Sequence, residues 1–339
     1  MTDVATDVIE RVRAARAALS TLAIRGHRSK SRLLGPPGGH ADLDLELHSG
    51  ITNYQPDELV ITARAGTPLS DITAALDERR QCLAADPPMF AGRGTLGGAV
   101  ASGLSGPSRP FRGSLRDSVL GIEVVNGLAE RLRFGGEVFK NVAGFDVSRL
   151  LTGSEGALGV LLSASLRVAP KPERLEYRKA TLDAAAAVTC MRTWASQSLP
   201  LSGLAWIAGE LHWRLAGASS VVNEIAGKLG GVEDDPGFWT RLRDGELTIN
   251  TSPTRLWRCA VPPATPPDPA DICLDWAGAL RWRDQDKSAD FLLPGAFTCQ
   301  RGSSPLRADR VTDLVRRLKD AFDPEHVFNP GLIHADTTS

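Results

Sequence analysis

The sequence has few histidines and no closely spaced cysteines. Its five cysteines stand at positions 82, 190, 259, 273 and 299, and none lies within four residues of another. This spacing excludes the C-x-x-C runs of zinc and iron–sulfur sites, and the odd number favours buried, reduced thiols. The six histidines show none of the H-x-H, H-x-x-H or H-E-x-x-H spacings. We therefore predict no metal site.

The chain also lacks a long apolar run and an excess of charge of either sign. No stretch approaches the ~20 apolar residues of a membrane-spanning helix. The first 20 residues carry apolar side chains at helical spacing among charged ones, which predicts an amphipathic helix rather than a secretory signal. The formal net charge of −1 favours neither nucleic acid nor an anionic membrane as a partner. We expect a cytoplasmic protein without a transmembrane segment.

A chain of 339 residues can bury a large core and suggests about two domains. The proline-containing segment 169–172 ends the first domain, and all seven tryptophans lie beyond it, between Trp194 and Trp282. Apolar periodicity predicts several elements. The predicted strands are Leu22–Gly26, Leu43–Leu47, Leu59–Ala63, Val119–Val125, Val160–Val168, Leu204–Ile207, Leu256–Val261 and Ala279–Trp282. The predicted helices are a segment through Leu69, Ile72 and Leu76 with Thr67 as its N-cap, then Asp146–Leu150, Asp183–Trp194, Val221–Leu229 and Val311–Phe322. The last of these is amphipathic, with Leu314, Val315, Leu318 and Phe322 on one face.

Glycine clusters are the most informative feature of the sequence. The first cluster comprises Gly94, Gly97, Gly98, Gly103 and Gly106, and a second runs through residues 153–159 into an apolar strand. Glycines let backbone N–H groups approach a bulky anion without a side chain in the way. Two such loops about 50 residues apart suit a long dinucleotide better than a small metabolite.

A Rossmann fold is the first alternative, because residues 92–97 match G-x-G-x-x-G. That fingerprint requires a preceding strand. The segment before it, residues 86–90, contains Pro87 and Pro88, which break a strand ladder. No acidic residue stands at the end of a second strand about 20 residues on, so the sequence argues against a Rossmann site.

A longer pattern resembles a different flavoprotein family. Its parts are Gly94-Thr95-x-Gly97-Gly98, Ser114-x-Arg116-Asp117-x-Val119-Leu120-Gly121, Lys140-Asn141-x-Ala143-Gly144-Phe145-Asp146 and Gly153-Ser154-Glu155-Gly156-x-Leu158-Gly159. Together they are similar to the FAD-binding domain of the vanillyl-alcohol oxidase/p-cresol methylhydroxylase (PCMH) superfamily. The segments 53–64, 274–282 and 327–331 further resemble the FAD-binding subunits of bacterial glycolate oxidases.

The resemblance implies an α+β fold. Residues 1–170 would form a PCMH-type FAD-binding domain of two α/β subdomains, with FAD between them. Residues 171–310 would form an FAD-linked oxidase-type cap domain with a mixed sheet and helices, serving substrate or interface. Residues 311–339 would return to the flavin. The three tryptophans at 257, 276 and 282 fit either a subunit interface or the core of the cap.

The resemblance also implies a noncovalent FAD site built from three loops and a C-terminal turn. We call residues 24–30, 94–106 and 153–159 the first, second and third loops. The first loop would bind the pyrophosphate through backbone N–H groups and the Ser29 hydroxyl, with His27 as a polar neighbour rather than a flavin tether. Thr95 and Ser102 would donate hydrogen bonds, Lys140 and Asn141 serve either structure or FAD, and the Asn329 amide serves flavin N3 or O2 or an Asx turn. The predicted cofactor-binding residues are Arg25, Gly26, His27, Arg28, Ser29, Lys30, Gly94, Thr95, Leu96, Gly97, Gly98, Ser102, Gly103, Gly106, Glu155, Gly156, Gly159, Val160 and Asn329.

By the same resemblance, the chain would support oxidation of glycolate or a similar 2-hydroxy acid. Its partners would be a catalytic flavoprotein subunit and an iron–sulfur subunit of a glycolate oxidase complex, through which any membrane association would arise. The second domain departs from related dehydrogenases, since His212 is the only histidine between residues 49 and 325. No catalytic residue is identifiable, although Arg281 or Arg283 could either bind a carboxylate or form a salt bridge. A stand-alone FAD-dependent 2-hydroxyacid oxidoreductase and a flavin-free structural subunit remain the alternatives.

Overall fold

The computed structural model describes residues 4–34, 38–90, 92–136, 145–249, 256–284, 297–300 and 309–330. The chain divides into two compact units, each discontinuous in sequence. The first consists of Met1–Leu104, Ser114–Pro170 and Ala308–Ser339, and the second of Ser105–Gly113 and Lys171–Arg307. The functional roles expected for residues 1–170, 171–310 and 311–339 stay predictions.

Helices and short strands alternate along the chain. Up to Pro170 the elements are α1 (Ala5–Ala17), β1 (Leu22–Arg25), α2 (Ser31–Leu34), β2 (Ala41–Asp44), β3 (Ile51–Gln55), β4 (Val60–Arg64), α3 (Leu69–Asp77), β5 (Gln81–Cys82), α4 (Leu96–Ser102), α5 (Arg109–Arg112), α6 (Leu115–Ser118), β6 (Val119–Val125), β7 (Arg131–Gly135), α7 (Phe145–Leu151), β8 (Val160–Arg167) and β9 (Ala169–Pro170). Beyond it they are β10 (Arg174–Thr181), α8 (Ala184–Ala195), β11 (Leu201–Ile207), β12 (Glu210–Gly217), α9 (Ser219–Leu229), β13 (Val232–Glu233), α10 (Gly237–Arg243), β14 (Leu256–Ala260), β15 (Asp271–Asp275), a 3-10 turn (Trp276–Gly278), β16 (Leu280–Asp284), β17 (Phe297–Gln300) and α11 (Asp309–Phe322). The predicted helices and strands coincide with these elements to within a few residues.

The first unit is built around a five-stranded sheet in the order β3-β4-β8-β6-β7, and each of its pairs is antiparallel. Its strands β4 and β8 have dense apolar sequences because both of their faces are covered. Helices α3 and α4 pack on one face through Leu69, Ile72 and Val100. Helix α1 packs on the other face, where it meets the small parallel pair β1-β2.

Helix α1 confirms the amphipathic pattern predicted for the N-terminus. Its apolar positions Val8, Val12 and Ala15 are buried, whereas the charged positions between them face outward. Since these apolar side chains recur every three to four residues, they fall on one side of the helix. They pack against Leu43 of β2 and Leu162 of β8, which joins the helix to the sheet.

Two local predictions are wrong. The N-cap of α3 is Pro68 and not Thr67. The Thr67 hydroxyl instead donates to the Gly50 carbonyl and accepts from its N–H, at 3.2 and 2.9 Å. In α11, Leu318 and Phe322 pack against the core as expected, but Leu314 is exposed because the buried face of this helix is narrower than the apolar pattern suggests.

The second unit contains an eight-stranded sheet in the order β13-β10-β12-β11-β15-β16-β14-β17. Every pairing described for it is antiparallel, which corrects the mixed sheet expected for the cap. The reason is that β12 lies between β10 and β11, so the strands joined through α8 do not pair with each other. Helices α8 and α9 cover one face of this sheet around Trp213.

The tryptophans belong to the interior of this unit. Trp257, Trp276 and Trp282 are each at most 7% exposed, so they support the core alternative and not an interface. The Trp276 indole N–H donates to the Gly106 carbonyl at 2.9 Å, and the Arg109 guanidinium lies 4.4 Å from its ring centroid. These contacts explain why residues 105–113 belong to the second unit although they follow α4 in sequence.

Candidate functional site

Two adjoining cavities in the first unit are lined by the glycine-rich loops. Both cavities are bordered by Ile24, Arg25, Gly26, Thr95, Gly98, Ala101, Glu155 and Asn329. We call them together the loop cleft. The first cavity adds residues 27–31, Leu34 and Ser102, and the second adds Leu45, Ala65, Gly66, Gly97, Gly156, Gly159 and Leu161.

The first loop follows β1 and carries several charged groups that are already partnered. Arg25 and Arg28 both form ion pairs with Asp42, each at 2.8 Å. This shared carboxylate reduces the positive potential that the two arginines bring to the loop cleft. Lys30 is only 9% exposed, and its ammonium lies 5.5 Å from the Phe90 ring centroid. Backbone N–H groups of the loop and the Lys30 ammonium are the groups that could contact an anion in the cleft.

His27 has contacts at both ring nitrogens. Its Nδ1 lies 3.1 Å from the Arg93 carbonyl oxygen, and its Nε2 lies 3.4 Å from a Glu46 carboxylate oxygen. These contacts connect the first loop to Arg93 and Glu46. His27 is thus a polar residue of the loop, and the absence of a covalent bond from it to flavin stays a prediction.

The second loop leads into helix α4. The Thr95 hydroxyl accepts from the Gly98 N–H at 3.2 Å and caps the helix. The same hydroxyl keeps its proton for donation into the loop cleft. The Gly97 N–H donates to the Ala65 carbonyl at 2.7 Å, which ties the helix start to the end of β4. The Ser102 hydroxyl donates to the Ala99 carbonyl at 3.1 Å, so its proton is committed within the helix.

The third loop meets the C-terminal turn at Asn329. The Asn329 amide oxygen accepts from the Ile24 N–H at 2.7 Å, and its Nδ2 donates to the Glu155 carbonyl at 2.8 Å. The Asn329 N–H also donates to the Leu22 carbonyl. Asn329 thus joins the first and third loops, and one amide hydrogen and one oxygen lone pair remain for another partner.

Some predicted site residues do not line the loop cleft. Leu96 is buried in the core beneath α4, and Val160 packs with the α1 cluster. Gly106 belongs to the second unit. Gly94 and Gly103 also do not line the loop cleft. Lys140 and Asn141 lie outside the described residues. The proposed roles of these residues stay predictions.

Several residues that line the loop cleft were not predicted from the sequence. Ala65 and Gly66 follow β4 directly, and this small pair after a buried strand was the available signal. Ala101 lies three residues after Gly98, on the same face of α4. Ile24 and Leu161 resemble ordinary strand residues, so nothing in the sequence marks them.

The arginines considered for carboxylate binding are structural. Arg281 and Arg283 are at most 3% exposed, and both form ion pairs with buried Asp271, at 3.3 and 2.5 Å. Burial lowers the pKa of Arg281, and Asp271 counters this. The salt-bridge interpretation is the one that the structure supports. Within the part of the chain that the structure describes, no cluster of His, Cys, Asp and Glu could hold a metal ion.

The loop cleft fits a cofactor with a phosphate backbone. Six of its lining residues are glycines, at positions 26, 66, 97, 98, 156 and 159. A Cβ added at Gly98 would lie 3.1 Å from Thr95 Oγ1 and 3.3 Å from Lys30 Nζ, so a larger residue there would crowd both polar side chains. Lys30, the Thr95 hydroxyl and the N–H groups of residues 26–29 would hold phosphate oxygens. None of the helices described is long and apolar enough to cross a bilayer.

Comparison with known proteins gives a consistent result. Residues 3–135 match the family model described as FAD binding domain. The chain is 40% identical to the glycolate oxidase subunit GlcE of Escherichia coli (strain K12) over 346 aligned residues, 98% of each protein. It is 33% identical to the glycolate oxidase subunit GlcD of Bacillus subtilis (strain 168), over 36% of this chain and 26% of that protein.

More distant similarities agree. A D-2-hydroxyglutarate dehydrogenase of Xanthomonas citri pv. viticola is 32% identical over 40% of this chain, and the match spans 28% of that enzyme. A solved structure of an alkyldihydroxyacetonephosphate synthase superposes with a TM-score of 0.66 and 14% identity, covering 96% of this chain and 75% of that one. At this identity the likeness concerns the fold alone.

Proposed function

The chain belongs to the family of the glycolate oxidase subunit GlcE, and from this premise we propose that it is an FAD-binding subunit of a complex that oxidises glycolate to glyoxylate. The observation that carries the proposal is the match to GlcE along the whole length of both proteins. The match of residues 3–135 to an FAD binding domain identifies the cofactor. The loop cleft, which is lined by six glycines and by Lys30, supports the same assignment.

FAD supplies two-electron redox chemistry when bound, and the protein contributes binding and orientation. Oxidation of glycolate removes two electrons and two protons, so a base must accept the hydroxyl proton. Histidine is the commonest such base, and the histidine in the described part of the second unit, His212, is 4% exposed and lies 2.7 Å from Asp234, so it is already partnered within the fold. We place substrate oxidation in a partner flavoprotein subunit of the GlcD kind.

The electrons need a route onward from the flavin. The scattered cysteines exclude a C-x-x-C iron–sulfur run in this chain. We therefore propose an iron–sulfur subunit as a further partner, and a cytoplasmic complex. The chain would relay electrons or steady the assembly, and would not select the substrate by itself.

The decisive experiment is anaerobic reduction by glycolate. The isolated, FAD-loaded chain should show little bleaching of its flavin absorbance. The same chain mixed with its GlcD-like partner should bleach on addition of glycolate. Dithionite, which reduces flavin without a substrate site, is the control in both samples. Rapid stoichiometric bleaching of the isolated chain by glycolate would make it a stand-alone dehydrogenase and would refute the division of labour.

FAD should be held without a covalent bond. Both His27 ring nitrogens have protein contacts, and the other described side chains of the loop cleft include no cysteine or tyrosine. Acid precipitation should therefore release all of the flavin into the supernatant. The visible absorption spectrum of the supernatant should match that of free FAD. Flavin remaining with the pellet after washing would contradict this, and protein without flavin from the start would favour the structural-subunit alternative.

A further inference from the structure

Lys319 is a buried lysine near the end of α11 that does not line the loop cleft. Its side chain is 4% exposed. The ammonium donates to Asp323 Oδ2 at 2.6 Å, to the Ala157 carbonyl at 2.7 Å and to the Phe328 carbonyl at 3.0 Å. These bonds occupy all three donors of the group. Burial lowers the pKa of Lys319, and the Asp323 charge opposes that shift.

Asp323 completes the arrangement from the other side. Its carboxylate is fully buried and accepts from the Val327 N–H and the Phe328 N–H, both at 2.9 Å. The pair therefore fixes the backbone on both sides of Phe328. The next residue is Asn329, which bridges the first and third loops of the cleft.

The hydrogen bond from Lys319 to the Ala157 carbonyl also leads to the loop cleft. Ala157 directly follows Glu155 and Gly156, which line the loop cleft. Lys319 thus holds the third loop and the C-terminal turn against each other. Both of these segments include left-handed backbone, since Glu155 has φ of 54° and Asn329 has φ of 41°. Residues in this region need surrounding contacts to keep them there.

We propose that Lys319 is a positioning residue of the FAD site: the affinity for FAD depends on it, although it touches no part of the cleft. Through Ala157 and Phe328 it sets the distance between the Glu155 and Asn329 backbones, and through Asn329 it sets the position of Ile24 and the first loop. The inference rests on the assignment of FAD to the loop cleft.

The test is the FAD affinity of Lys319→Met, which keeps the length of the side chain and removes its donors. We expect the Kd for FAD to rise by about tenfold or more, within the range of coupling between linked sites. Ile72→Ala is the matched control, because Ile72 is fully buried in the same unit, lies on α3 and does not line the loop cleft. Its melting temperature should fall comparably while its Kd stays within about twofold. Equal losses of affinity in the two variants, or an unchanged Kd in Lys319→Met, would overturn the proposal.

Hydrogen exchange in the unmodified protein gives a second measurement that needs no variant. Coupling is reciprocal, so FAD must stabilise the C-terminal turn as much as the turn stabilises FAD. We expect added FAD to slow exchange at the N–H groups of Leu22, Phe328 and Asn329, which bond to Val327, Asp323 and Leu22. Unchanged exchange at these positions despite bound FAD would refute the positioning role. A protein that binds no FAD would refute the cofactor assignment itself, which is a distinct result.

Discussion

Gly97→Val should abolish retention of FAD, with a loss of affinity on the order of 100-fold or more, the effect of a site displaced by about 1 Å. A Cβ at this position would lie 2.7 Å from the Ala65 Cβ and 3.0 Å from the Ala65 carbonyl oxygen. Backbone cannot yield as a flexible side chain does, so the start of α4 would move away from β4. This movement would change the distances among Thr95, Gly98 and Gly66, which line the loop cleft. Sequence alone suggested a clash with the ligand, but the structure assigns the clash to Ala65.

The measurement is titration of the apoprotein with FAD, followed by flavin fluorescence, with circular dichroism to establish folding. Gly227→Val is the control, because this glycine lies in α9 of the second unit and a Cβ there would meet nothing within 4 Å. Its affinity for FAD should equal that of the original protein. A folded Gly97→Val protein with undiminished affinity would show that the loop cleft is not the FAD site.

Asp271→Ala should destabilise the second unit by about 3–5 kcal/mol, the usual cost of breaking a buried ion pair from one side. Asp271 is the carboxylate partner of both Arg281 and Arg283. Its Oδ2 also accepts from the Asp268 N–H at 2.9 Å. Removing it leaves two buried guanidinium groups without this shared carboxylate, which desolvation and their like charge both penalise.

Urea unfolding followed by tryptophan fluorescence would report this change selectively, because all seven tryptophans lie in the second unit. Asp235→Ala is the comparison, since Asp235 forms an exposed ion pair with Arg241. Its unfolding midpoint should stay nearly unchanged because solvent screens such pairs. If Asp271→Ala were equally harmless, the arginines would be free to serve a ligand, as the sequence allowed.

The sequence was sufficient for the elements with a clear apolar pattern and for most of the loop cleft, but strands such as β10 and β12 were not predicted. Helices such as α1 and α9 follow from apolar spacing, and the glycine loops follow from the family pattern. What the pattern could not give is the direction of each side chain. Leu96 and Gly97 are adjacent, yet the first points into the core and the second lines the cleft, because successive helix positions are rotated by about 100°. At the start of β8, Val160 likewise packs in the core whereas the preceding Gly159 lines the cleft.

Long-range partners were also beyond the sequence. Lys319 follows the ordinary pattern of a charged residue on a surface helix, and only its contact with Ala157, 162 residues earlier, shows that it is buried. The same holds for segment 105–113, whose Gly106 was predicted to belong to the second loop but lies in the second unit. Its contacts with the 3-10 turn at Trp276 depend on a pairing 170 residues apart, which local periodicity does not encode.

The bond between Ile24 and Asn329 spans 305 residues, and this separation has a consequence for biosynthesis. A ribosome releases the first loop 305 residues before the residue that holds it in place. The nascent chain can form α1 and the five-stranded sheet, since domains begin to fold from the N-terminus during synthesis. The contacts of Asn329 with the first and third loops form only after this residue has left the ribosome. If the loop cleft holds FAD, a ribosome that stalls within residues 171–307 would leave a first unit whose cleft lacks these contacts and cannot retain the cofactor.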